Sequence, residues 1–291
     1  MQKRIFKFGG GSWAVVVPKS WVEKNGIERN GSAEMYEDDV GNVVISAKGT
    51  APKESELLIT AKLNPEVIGR WVVMYYRQGV KRLKIYSAEG SALKQFEGIE
   101  DIITQRCPGF EVVNRTKKEM IFEDFTDIKE LSAEKIMHRL RSLVAEELEE
   151  IRMESPVEIR KLEDLVNRFF SLGIRYVNMV RGKDQTKYFK IFGLLETISD
   201  QLYVLAKSGT AKKNTSLFKM LAEELDLCFK GLAGDHQAIG SAVELKNSAI
   251  KAAGKANTTD LEEYLIGEIA KNMAKISELG LEITQKELAV E

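Results

Sequence analysis

Two carboxylates four residues apart, in Glu196-Thr-Ile-Ser-Asp200, are the residues of this chain best spaced for chemistry. On a helix, positions i and i+4 share one face, so both side chains can address one cation. An oxygen donor set suits hard ions such as Mg²⁺ or Ca²⁺, and also manganese or iron, divalent or ferric. Two weaker copies occur: Glu268 with Asn272, placed 72 residues on (268 minus 196), and Glu163 with Asn167. Each has lost one charge, and fewer carboxylates bind a cation less tightly. Acids on a helix surface are also commonly solvated or paired with Lys and Arg, and that reading stands beside the metal one. His138 and His236, the only histidines, fall outside these pairs and receive no role.

A second constellation lies at the N-terminus. Met1 to Lys24 holds five basic residues, Lys3, Arg4, Lys7, Lys19 and Lys24, against the single acid Glu23. Local segregation of charge, rather than the net charge of −1, is what makes a phosphate-facing patch. Lys3, Arg4, Lys7 and Lys19 are the expected phosphate contacts, with Ser12 and Trp13 on a glycine turn near a groove. Val22 and Glu23 interrupt the basic run after Pro18, and a solvated basic face on a purely dimerising module remains the alternative.

Other chemistries are poorly represented. Gly9 to Ser12 lacks the Lys-Ser/Thr of a phosphate-binding loop, and no G-x-S-x-G elbow occurs. Cys107 and Cys228 match no metal-ligand spacing and read as reduced, structural thiols. No third group stands beside the paired acids to act as general acid or base, so a metal-dependent hydrolase is the least favoured reading and no enzymatic activity is expected. No apolar run spans a bilayer, and a cytoplasmic protein without membrane insertion is expected.

The elements that must position these residues change texture along the chain. Arg4–Phe8 and Ala14–Val17 read as strands around a glycine turn, followed by a helical turn opened by Pro18-Lys19-Ser20. Ala33–Glu37 and Asn42–Ser46 read as a hairpin around Asp38-Asp39-Val40-Gly41. So short a fragment has too little apolar area to close a core alone, which predicts interleaving of hairpins from two copies. A linker is expected over 47–56. Beyond it come strand 57–60, helix 65–78, strand 80–86, helix 91–105 and paired strands at 110–113 and 118–122, a small α/β unit that reads as a connector, dimerisation layer or ligand sensor. No proline follows Pro156, and helical periodicity runs from Ser132 onward, with stripes Ile136-Leu140-Leu143-Val144-Leu148-Ile151 and Leu162-Val166-Phe169-Tyr176-Val177-Val180. Ser155-Pro156-Val157-Glu158 marks a capped start. Further helices are expected at 187–207, 215–230, 237–253 and 259–284, six in two sets of three.

The first 48 residues, with a basic strand, a glycine turn, hydrophobics, Pro18-Lys19 and Gly26-Ile27, resemble the AbrB/MazE/SpoVT family of swapped-hairpin DNA-binding domains. Residues 132–291, with tandem three-helix sets and E-x-x-x-D motifs, resemble the PhoU family of phosphate-uptake regulators, whose motifs can hold metal ions. Together the resemblances imply a multidomain, mainly α-helical chain: DNA-binding domain 1–48, α/β unit 52–127 and PhoU-like helical domain 132–291. The implied function is a homodimeric transcriptional regulator of phosphate uptake or metabolism that binds double-stranded DNA. The alternative is an adaptor that docks on a phosphate transporter or sensor protein, its N-terminal hairpins serving only to dimerise it.

Overall fold

The fold is given by a computed structural model that describes residues 4–29, 31–37, 43–47, 54–60, 63–87, 93–153, 155–180, 184–209, 214–256 and 258–288. The chain divides into two compact units, Met1–Pro52 and Lys53–Glu291.

In the first unit, β1 (Ile5–Phe8) pairs antiparallel with β2 (Ser12–Val15), Ile5 opposite Val15 and Phe8 opposite Ser12. The three glycines alone make the turn, with Gly9 at φ 67°, so β2 starts two residues earlier than its apolar run predicts. It stops at Val15 because the residues before Pro18 run toward a position without an N–H to donate. The short helix α1 (Lys19–Lys24) follows, with Pro18 at the N-cap rather than inside the first turn. β3 (Ala33–Glu37) pairs antiparallel with β4 (Val43–Ala47); the expected turn at 38–41 lies outside the described residues.

The second unit opens with a four-stranded sheet of order β5-β6-β8-β7, formed by β5 (Glu54–Ile59), β6 (Arg82–Ser87), β7 (Phe110–Arg115) and β8 (Glu119–Asp124). β5 and β6 are parallel and are joined through α2 (Pro65–Arg77); the remaining pairs are antiparallel. β5 begins inside the segment expected to be linker. Its Glu54-Ser55-Glu56 start is polar because an edge strand needs only its inward positions apolar. Asn64 caps α2, its Oδ1 accepting from Glu66 N at 2.9 Å, and Pro65 takes the first helical position. α2 and α3 (Leu93–Arg106) bury Ile68, Val72, Tyr76, Phe96 and Ile99 against Leu83, Ile85, Phe110, Met120 and Phe122 of the sheet.

Six long helices follow: α4 (Ala133–Met153), α5 (Pro156–Met179), α6 (Gln185–Ser208), α7 (Thr215–Leu232), α8 (His236–Ala253) and α9 (Asp260–Leu288). The first three pack on one another, as do the last three, and the two sets meet along α4 with α7 and α6 with α9 over one shared core. Ser155 caps α5 as expected, and Gly209 ends α6 at φ 71°. Among the described residues no helix is long and apolar enough to cross a membrane.

α5 departs from the simple amphipathic pattern. Asn167, Ser171 and Arg175, at i, i+4 and i+8, are all buried, because α5 packs on α4 and α6 on one side and on α2 and α3 on another. Arg175 is fully buried; it donates to Tyr76 O, to Val80 O at 3.1 Å and to the Asp124 carboxylate, with its guanidinium 4.6 Å from the Tyr76 ring centre. One side chain thereby ties the bundle to the end of α2 and the end of β8. Val180, expected on the buried stripe, is instead the exposed C-cap of α5.

Candidate functional site

The first three-helix set gathers acids from all of its helices. Glu147 of α4 is fully buried; its Oε1 accepts from Ser199 Oγ of α6 at 2.6 Å, and its Oε2 has no partner among the described residues. Burial pushes its carboxyl up to about 8, and Glu163 and Asp200 push the same way, while the Ser199 hydroxyl opposes them. Glu163 of α5 is raised by burial and by Asp164 and Asp200, with Asn167 Nδ2 bonded to its Oε1. Glu196 and Asp200 of α6 are raised as well, mainly by burial, and Asp200 adds repulsion on Glu196. Arg106, at the end of α3, offsets part of this charge at Glu163, Glu196 and Asp200; Arg77, at the end of α2, does so at Glu196.

The second set has a different character. Glu224 of α7 is fully buried with neither carboxylate oxygen partnered among the described residues, and burial pushes it up to about 8, opposed by Lys246. Glu268 Oε1 accepts from Lys271 Nζ at 2.9 Å, and Asn272 Oδ1 accepts from Lys275 Nζ at 3.0 Å. Asn272 Nδ2 also reaches Gln201 of α6 at 3.5 Å. The residues expected to hold a cation in this set therefore sit beside lysines.

Glu147 and Glu224 carry the strongest signal of the bundle, and spacing rules for paired acids pass over them. Both interrupt an apolar stripe: Leu140, Leu143, Glu147, Ile151 in α4 and Leu217, Leu221, Glu224, Cys228 in α7. Both also sit in one repeated segment, Ala145-Glu146-Glu147-Leu148-Glu149 and Ala222-Glu223-Glu224-Leu225-Asp226, offset by 77 residues (224 minus 147). An acid on a buried stripe, found twice in one local sequence, is a readable mark of a site.

In the first set the donors fit a hard cation in kind: several carboxylates of raised proton affinity and one buried oxygen without a partner. Among the described residues no group of three or more His, Cys, Asp or Glu side chains is spaced to hold an ion as it stands, so coordination requires rotation of the exposed Asp200 and half-buried Glu163 and Glu196 inward. In the second set the paired lysines make the donors unsuitable. Cys107 and Cys228 are free and buried, each thiol pushed up to about 12 by burial.

At the N-terminus, Lys7 stands directly opposite Trp13 and Ser12 opposite Phe8, so Lys7 and Trp13 share one face of the hairpin and Ser12 the other. Arg4 and Lys7 are exposed and make no ion pair among the described residues, whereas Lys19 is 3.5 Å from Glu23. Lys3 lies outside the described residues. The apolar side chains of this unit are largely uncovered: Ile5 is 67% exposed, Phe8 70%, Trp13 69% and Met35 70%. Ile5, Trp13 and Val15 lie on one face of the β1–β2 hairpin and Phe6 and Phe8 on the other. The chain matches no protein-family model, no curated protein and no solved structure.

Proposed function

We propose that this chain is a DNA-binding transcriptional regulator of phosphate uptake or metabolism that works as a homodimer, with the helical unit as its sensor. The observation that carries the reading is the β1–β2 hairpin, which exposes large apolar side chains on both faces beside Arg4 and Lys7, cations without an ion pair among the described residues. A two-stranded hairpin has no core of its own, so both faces need a partner, and a second copy supplies matching apolar surface. Dimerisation then presents Arg4, Lys7 and Trp13 twice, and two-fold repetition suits a two-fold DNA site. The phosphate theme rests on the PhoU-like repeat of three-helix sets.

On the sensing side, Glu147, Glu163, Glu196 and Asp200 would hold a divalent or ferric ion. Such an ion would supply the positive charge that lets these carboxylates ionise together. Ser199 orients Glu147 by donating to Oε1, which leaves Oε2 as the inward donor. Binding there changes DNA affinity only as far as the ion prefers one arrangement of the dimer over another.

Titration of labelled genomic duplex fragments across a salt series, with sedimentation of the same samples, tests the reading. Dimers whose affinity falls steeply with salt and is lost in folded Arg4→Glu/Lys7→Glu protein support it. Dimers that ignore DNA at low salt favour the adaptor reading, for which the Lys19–Glu23 pairing is the relevant observation because it removes one of the few cations from the patch.

A further inference from the structure

The α/β layer contains a groove that the regulator reading does not use. α2 contributes Glu66, Arg70, Val73, Met74, Arg77 and Gln78, spaced along one side of the helix, and α3 contributes Ile102, Gln105 and Arg106. They enclose about 530 Å³, within the span of roughly 300–1,000 Å³ usual for small-molecule sites. Its apolar lining comes from Val73, Met74 and Ile102; its charged lining is three guanidinium groups and one carboxylate.

That carboxylate is already engaged. Glu66 Oε1 accepts from Arg70 at 2.8 Å, which leaves Arg77 and Arg106 without an acid inside the groove. Arg77 is fixed in place: Nε and Nη2 donate to Ser171 Oγ at 3.3 and 3.1 Å, and its guanidinium carbon lies 4.7 Å from the centre of the Phe170 ring. An arginine has five N–H donors in a rigid fork, so donors remain after Ser171 is served. Burial and the like charge of Arg106 both disfavour the charged form of Arg77, whereas Glu196 across on α6 favours it. Two like-charged forks beside apolar side chains, one of them pinned by packing and neither facing an acid of the groove other than the engaged Glu66, form a recognition element for an anion.

We propose that the α2/α3 groove binds a small organic anion, its phosphate or carboxylate group held by Arg77 and Arg106 and its apolar body lying on Val73, Met74 and Ile102. The same two arginines offset the Glu163, Glu196 and Asp200 charges, so an anion that engages them leaves the acid cluster less compensated and raises its affinity for a cation or a proton. This coupling rests on the cation reading; occupancy of the groove does not.

Calorimetric titration of the full-length chain in chelator-containing buffer separates the two, using phenyl phosphate, benzoate, inorganic phosphate and the neutral benzyl alcohol as probes. Saturable binding of phenyl phosphate or benzoate is expected, tighter than that of inorganic phosphate or benzyl alcohol. Arg106→Gln, at an exposed position, is expected to weaken it about ten-fold or more, the worth of a charge-assisted hydrogen bond. Arg139→Gln, on α4 and outside the groove lining, is expected to leave it unchanged. Absence of saturation up to about 10 mM, a limit set by the weakest affinities of biological use, overturns the proposal. So does indifference to Arg106→Gln, or equal binding of benzyl alcohol. Equal binding of inorganic phosphate removes the apolar lining from the site and overturns the organic ligand.

Discussion

The two three-helix sets start from the same local sequence and diverge in what surrounds it. Each buries one glutamate in an Ala-Glu-Glu-Leu-acid segment, and burial pushes both carboxyls up to about 8. Around Glu147 the nearby groups are a hydroxyl and further acids; around Glu224 the charge that favours ionisation is Lys246, and Glu268 of α9 is tied to Lys271. Position 199 of α6 is Ser where position 271 of α9 is Lys, each three residues after the glutamate of its pair and directly before Asp200 or Asn272. The first set also carries the α/β layer on α5 through Arg175, a connection to which α8 of the second set has no counterpart among the described residues. Both halves thus hold a buried acid, while the excess negative charge lies in one. A site that responds to a cation belongs to the half that is short of positive charge.

The largest expected effect lies in the docking of the α/β layer on the first set. Arg175→Met leaves Asp124, whose side chain is 3% exposed, as a buried carboxylate without its ion pair and removes the hydrogen bonds from Arg175 to Tyr76 O and Val80 O. Removal of one partner of a buried pair costs about 3–5 kcal/mol. Urea unfolding of the full chain should show a loss of this size, or an early transition of residues 53–127; a loss below about 1 kcal/mol would mean that Arg175 contributes little to holding the layer.

Next in size is the response to a cation. With Mn²⁺ at about 100 times its dissociation constant, binding to the folded state raises stability by about 2.7 kcal/mol. Melting with and without MnCl2 should show this gain in the wild-type chain and in Glu224→Gln, and should show it abolished in Glu147→Gln. Equal gains in all three proteins would place the ion elsewhere and end the distinction between the halves.

The second half should instead reveal itself through pH. Glu224 has a raised pKa in the folded state, so between the ordinary glutamate range near 4.5 and about 8 the folded chain holds a proton that the unfolded chain has released. Stability therefore falls as pH rises through that window and levels off above it. Glu224→Gln removes this component: its melting temperature should match the wild type near pH 5 and exceed it at pH 8, by on the order of 2 kcal/mol in stability. A gain of equal size at both pH values would point to packing rather than ionisation. The comparison belongs in chelator, where Glu147 contributes a similar slope to both proteins.

Most of the scaffold was legible because its signals are local. Periodic apolar stripes, the Ser155 cap and the Gly209 stop depend on neighbours in sequence, and they placed α4 to α9 within a few residues. β5 was missed at its start because Glu54 and Glu56 face outward on an edge strand, where polarity carries no information about pairing. The polar run Asn167, Ser171, Arg175 was hidden for the opposite reason: polar residues on a helix read as solvent-facing, and only the tertiary approach of α2 and α3 turns that face inward. Of the site, Glu163, Glu196 and Asp200 were readable from i,i+4 spacing. Glu147, Arg77 and Arg106 were not, since they come from three other elements and meet these acids only in the fold.

The smallest effect is the most direct probe of why the halves differ. Asn272→Asp restores the acid that the second E-x-x-x-D copy lacks, which would recreate a cation site if the missing carboxylate were the only difference. Lys275 Nζ already lies 3.0 Å from Asn272 Oδ1, so the new carboxylate acquires an ion pair in place of a neutral hydrogen bond. A partly exposed pair of this kind contributes about 0.2–1 kcal/mol, screened by salt. The expected result is a slight, salt-sensitive stabilisation with no added response to MnCl2, whereas Asn272→Asp combined with Lys271→Ala and Lys275→Ala should begin to respond. A cation response in the single variant would show that loss of one acid, rather than gain of neighbouring lysines, silenced the second half.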